Sequence, residues 1–167
     1  MRHALPASDP PPVTVIGVGS PWGDDRVGWC VIDALAARPR AIRARLLKLD
    51  RPGPALLEEI AGRQQALLVD AAATGAPAGT LQSIPADALS PASVGASTHR
   101  LGVAETLALG WSLGLLPAEL RLYLVSINPR GLGTTTTGLT PAVAAAVDLL
   151  AAVICRRLRA FGTTPSP

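Results

Sequence analysis

Three places in this sequence carry side chains that suit a divalent cation. Asp24 and Asp25 are adjacent in GVGSPWGDDRVG (17–28), Asp70 follows an apolar run in LLVDAA (67–72), and His99 lies in STHRLG (97–102). Two carboxylates and one imidazole form a mixed oxygen and nitrogen donor set for a first-row divalent ion. Positions remain for water or a substrate. The chain has two histidines, and His3 lies in a proline-rich head, so an imidazole ligand would fall to His99. Each residue also has a structural reading. Asp24 can be the N-cap of the helix that follows. Asp25 can favour the dipole of that helix, and His99 can be a capping or core histidine. Asp70 is harder to explain structurally, because a carboxyl at the end of a buried strand needs a partner.

The glycines of the first stretch raise a competing chemistry. A dinucleotide fingerprint needs Gly-x-Gly-x-x-Gly at a strand-to-helix turn, where backbone N–H groups face a pyrophosphate. Gly17 and Gly19 fit, but Trp22 stands at the third glycine position. Pro21 has no N–H to donate, and two carboxylates would repel a phosphate. No Gly-Lys-Ser/Thr follows. Nucleophilic chemistry is also poorly served. There is no Gly-x-Ser-x-Gly elbow, and neither cysteine is placed to pair with His99. Ser97, Thr98 and His99 are consecutive, and adjacent helix residues do not face each other. Trp22 can be a docking residue exposed in the acidic loop, or it can close the core over the first helix.

Such residues act together only if a scaffold gathers their loops. VTVIGVG (13–19) and QALLVDAAA (65–73) are continuous apolar runs of the kind that form buried parallel strands. AIRARLLKLD (41–50) alternates apolar and basic residues, as an edge strand with one wet face would. TLQSIP (80–85) and ELRLYLVSI (119–127) are two further strands. Helices are expected over 25–37, in PALLEEIAG, from His99 to about Leu113, and from Pro141 to about Ala160. Thr140 caps the last of these, with Pro141 at its first position. That helix is apolar on most sides and should lie largely buried. Between the fifth strand and this helix runs NPRGLGTTTTGL, a Gly/Thr loop long enough to suggest function. Alternating strands and helices predict a three-layer α/β domain with a mostly parallel sheet. Ligands of such sheets bind beyond the carboxyl ends of the strands. The expected organisation is a disordered head (1–11), one domain (12–160) and a flexible tail (161–167).

Bulk composition narrows the function classes. A chain of 167 residues can bury roughly 70% of its unfolded surface and needs no disulfide or structural metal to fold. Hydrophobic residues make up 49% and aromatic residues only 3%, so the core must be built from Leu, Val, Ile and Ala. The net charge of +3 comes almost wholly from arginine, Lys48 being the only lysine. The arginines form no stripe interleaved with aromatics, which argues against nucleic-acid binding. They read as solvated surface or as a basic face for an acidic protein partner. Cys30 and Cys155 are far apart and form no CxxC pair, as expected of buried thiols in a reducing cytoplasm. The head has no hydrophobic segment of a signal peptide. The apolar run 141–155 is too short to span a bilayer and contains Asp148.

The chain resembles the hydrogenase maturation endopeptidases. The resemblance rests on GVGSPWGDDRVG (17–28), LLVDAA (67–72), STHRLG (97–102) and INPRGLGTTTTGLTPAV (127–143), in family order and spacing, and covers residues 13 to about 158. It implies a three-layer α/β/α sandwich with a five-stranded, mostly parallel sheet. One strand is antiparallel, and TLQSIP is the candidate for it. It implies a cytoplasmic protease that removes the C-terminal extension from the large-subunit precursor of a nickel–iron hydrogenase. By motif, the catalytic and metal-binding residues fall on Asp25, Asp70 and His99. The ion would be nickel already inserted in the precursor, with no tightly held metal of the enzyme's own. Trp22, Asp24, Arg130 and Thr134 are candidates for the loops that meet the substrate. The precursor is the expected partner, with no nucleic acid, no membrane and a monomeric enzyme. Ser20 stands where the family commonly has asparagine, and Arg26 where it has a small residue. Two other functions compete with this one: a non-proteolytic maturation chaperone on the same fold, and a metal-free hydrolase using the Asp/His cluster for proton transfer.

Overall fold

A computed structural model describes residues 13–38, 44–85, 88, 101–129 and 138–161. Its elements run β1 (Val13–Gly19), a 3-10 turn (Gly23–Arg26), α1 (Val27–Ala36), β2 (Ala44–Asp50), α2 (Ala55–Ile60), β3 (Gln65–Ala72), β4 (Leu81–Pro85), α3 (Leu101–Ser112), β5 (Glu119–Ser126) and α4 (Pro141–Phe161). The five strands form one sheet in the order β2-β1-β3-β5-β4. Strands β2, β1, β3 and β5 are parallel, while β4 pairs antiparallel with β5. The antiparallel strand is therefore the TLQSIP segment, as the family resemblance implies.

Strand alternation divides the core into two layers of side chains. Val13, Val15, Leu67, Val69, Tyr123 and Val125 pack with residues of α1 and α4. Ile16, Val18, Leu68, Leu122 and Leu124 pack with residues of α2 and α3 on the other face. β1 and β3 lie inside the sheet with both faces covered, which is why their sequences are apolar without a break. β2 is an edge strand, and its basic residues are engaged at the surface. Arg45 pairs with Glu59 at 2.6 Å and Lys48 with Asp33 at 2.5 Å.

α4 departs from the sequence expectation of a largely buried helix. Val143, Ala146, Leu150, Ala151, Ile154, Cys155 and Leu158 are buried. Ala142, Ala144, Ala145, Leu149 and Ala152 face solvent. Alanine counts as apolar but buries little area, so a helix rich in it reads as more buried than it is. Of the two thiols, Cys155 is buried, whereas Cys30 is only partly so. No helix among the described residues is long and apolar enough to cross a membrane.

Candidate active site

The carboxyl ends of β1 and β3 mark the point where the sheet reverses its strand order. The chain leaves β1 to form β2 on one side and returns to form β3 on the other. The connections diverge there and open a crevice, the usual ligand position in such sheets. The loop after β1 and the end of β3 both reach this edge.

Glycines of the first motif fit two backbones together there. A Cβ at Gly17 would overlap the carbonyl oxygen of Gly28, and one at Gly19 would overlap that of Asp25. A Cβ at Gly28 would overlap the Val18 carbonyl oxygen and lie 2.8 Å from that of Val69. The start of α1 thus lies directly on β1 and β3. The 3-10 turn carrying Asp24 and Asp25 contacts β3 as well as β1. The strand of Asp70 and the turn of Asp25 are brought together by this close approach.

Asp70 occupies the sheet face shared with α2 and α3, between Leu68 and Ala72 in the alternation. It is 4% exposed. Its Oδ1 accepts a hydrogen bond from the Ala71 N–H at 2.8 Å. Burial drives its pKa well above the ordinary carboxylate range, against the weaker opposing effect of that hydrogen bond. A carboxyl in this state strongly favours a nearby positive charge, which would offset the cost of ionising it. Asp25 is partly exposed, with Oδ1 buried.

Asp24 does not cap the following helix. Neither the 3-10 turn nor α1 has a side-chain cap. Asp24 is instead buried, and its two oxygens accept hydrogen bonds from Thr140, from the backbone N–H at 2.6 Å and from Oγ1 at 2.9 Å. Thr140 is the residue before α4, and its carbonyl accepts the first helical hydrogen bond, from Ala144 at 2.8 Å. Sequence reasoning found Thr140 as a cap but not its link to Asp24. No local signal in the sequence points to that link, because the two residues are 116 positions apart.

Trp22 is 48% exposed beside the acidic turn, so it does not close the core over α1. His99, Arg130 and Thr134 lie outside the described residues. Among the described residues, no three His, Cys, Asp or Glu side chains come together as a ligand set. His99 lies two residues before α3, which begins at Leu101.

Residues 47–157 match the family model HycI, described as hydrogenase maturation protease. The hydrogenase expression/formation protein HupD of Rhodobacter capsulatus is 31% identical over 163 residues, covering 95% of this chain and 76% of that protein. Among solved structures, the hydrogenase maturating endopeptidase HybD from E. coli is 26% identical, with a TM-score of 0.73 over 90% of this chain and 93% of that one. The [NiFe] hydrogenase maturation protease HycI from Thermococcus kodakarensis KOD1 shares the fold at 19% identity, with a TM-score of 0.70 over 88% of this chain and 92% of its own. The family match over most of the domain and the identity to HupD across nearly the whole chain place this protein in the hydrogenase maturation protease family, a family of peptidases.

Proposed function

We propose that this protein is the endopeptidase that removes the C-terminal extension of a nickel–iron hydrogenase large-subunit precursor after nickel has been inserted. The observation that carries this reading is Asp70, a carboxyl buried at the carboxyl end of β3 and adjoined by the turn that bears Asp25. Membership of the protease family supplies the reaction class.

In this reading the nickel belongs to the substrate. Asp25, Asp70 and His99 complete its coordination and bring a nearby peptide bond to the crevice. Asp70 gives the recognition a physical basis. Its burial disfavours the carboxylate, and an arriving cation restores it. A precursor without nickel offers no such compensation. Either Asp25 or Asp70 can serve as general base for the attacking water. The loop around Trp22 and residues 128–139 supply contacts common to both forms of the precursor. The enzyme works as a cytoplasmic monomer and holds no tightly bound metal of its own.

The test is to incubate the purified protein with nickel-loaded and nickel-free precursor and to measure the mass of each. Loss of the C-terminal peptide from the loaded form alone is expected. Equal cleavage of both would remove the nickel gate, and cleavage of neither would remove the proteolytic function.

A further inference from the structure

Asp24 and Thr140 are 116 residues apart in sequence and hold each other at the carboxyl edge of the sheet. Asp24 is 3% exposed, and both of its oxygens are engaged by this one residue. Two hydrogen bonds from one partner fix the carboxylate in orientation as well as in position. The negative charge also lies at the N-terminus of a 21-residue helix, where the dipole favours it.

The two ends of this link differ in rigidity. The acidic turn is a four-residue 3-10 segment with no side-chain cap. Short turns of this kind have few bonds of their own. α4 is long and packed along one face of the core. Its first turn also lies close against the backbone of Gly79. That glycine has φ +84, a Cβ on it would overlap the Ala142 carbonyl oxygen, and its N–H donates to the Ser126 carbonyl at 2.8 Å. The anchor therefore packs against a residue bonded to the end of β5, while the turn it holds lies against β1 and β3.

We infer that the Asp24–Thr140 pair is a clamp that positions Asp25 for cleavage, transmitting the placement of α4 to the acidic turn. Asp24 is a positioning residue, not a ligand and not a helix cap. The inference rests on the proposed function in that Asp25 must serve the reaction.

Thr140→Val removes the hydroxyl and keeps the backbone N–H, and Thr140→Ser keeps both donors. Single-turnover cleavage of nickel-loaded precursor at saturating enzyme should fall about tenfold to a hundredfold in Thr140→Val, as a small misplacement of a reacting group can cause. Precursor affinity should hold, and Thr140→Ser should recover most of the rate. Adding Asp24→Ala to Thr140→Val should cost less than the product of the two single effects. Amide hydrogen exchange of residues 20–27 should accelerate in Thr140→Val while β3 stays protected. An unchanged rate per folded molecule, or a strictly multiplicative double variant, would overturn the clamp. If the wild type cleaves neither precursor, the proposed function fails. Hydrogen exchange then decides the clamp alone, and unchanged protection of residues 20–27 would refute it.

Discussion

Gly17 of β1 and Gly28 of α1 meet backbone to backbone. A side chain on Gly17 would overlap the Gly28 carbonyl oxygen, and one on Gly28 would overlap the Val18 carbonyl oxygen. The glycines of the first motif thus serve packing between a strand and the helix that follows it. They let α1 lie directly on the sheet, and the acidic turn is carried in with it.

This contact sets two helix effects against each other. Alanine is favoured over glycine inside a helix by about 1 kcal/mol. At Gly28, however, the obstructing atoms are backbone and cannot rotate away. Gly28→Ala is expected to destabilise the protein by about 1–3 kcal/mol, the usual range for overpacking. Urea denaturation measures it, and a gain in stability would show that α1 can lift from the sheet without loss.

Asp70 should make stability depend on pH in an unusual direction. Its folded pKa lies above its unfolded value, so the folded state binds the proton more tightly. Its contribution is fully present below the unfolded pKa and is lost as pH rises through the folded pKa. Asp70→Asn removes that titration. The variant should melt above the wild type at pH 7, and the gap should close toward pH 4. Each 1 kcal/mol corresponds to roughly 2–4 °C in a domain of this size. A gap that widens on acidification would contradict the assigned direction.

The candidate ligands should separate function from folding. Asp25→Ala, Asp70→Ala and His99→Ala are each expected to abolish precursor processing and to leave a cooperative unfolding transition. His99→Ala should also erase the preference for nickel-loaded over nickel-free precursor in binding. Each tenfold of that preference corresponds to about 1.4 kcal/mol. Mass analysis of the precursor and calorimetric titration with both forms provide the readouts. A His99→Ala variant that still discriminates would remove the imidazole from the proposed ligand set.

The resting enzyme is expected to carry little metal. Two carboxylates and one imidazole, with no thiolate, are a modest ligand set for a borderline-soft divalent ion. Elemental analysis of the purified protein should find substoichiometric nickel and zinc, and chelator should leave the melting temperature unchanged. One tightly held zinc ion per chain would indicate a conventional metalloprotease.

Much of this protein was legible in the sequence because its signals are local. Unbroken apolar runs identified β1 and β3 as interior strands, and apolar–basic alternation placed β2 at an edge. Pro141 after Thr140 located the start of α4. Asp70 stood out because a carboxyl ending an apolar strand is costly wherever that strand is buried.

Tertiary structure decided what depends on residues far apart in the chain. Sequence alone treats Asp24 as the cap of the next helix, its nearest opportunity for a hydrogen bond. The fold brings Thr140 within 2.6 Å, and the carboxylate bonds there instead. Gly17 and Gly19 read as parts of a failed phosphate motif until β1 and the segment leading into α1 are in contact. The outer face of α4 could not be told from its inner face, because alanines lie on both. Residue type and local spacing determine which elements form and which side chains are costly to bury. Which partners relieve that cost is set only when the sheet brings β1, β3 and the start of α4 to one edge.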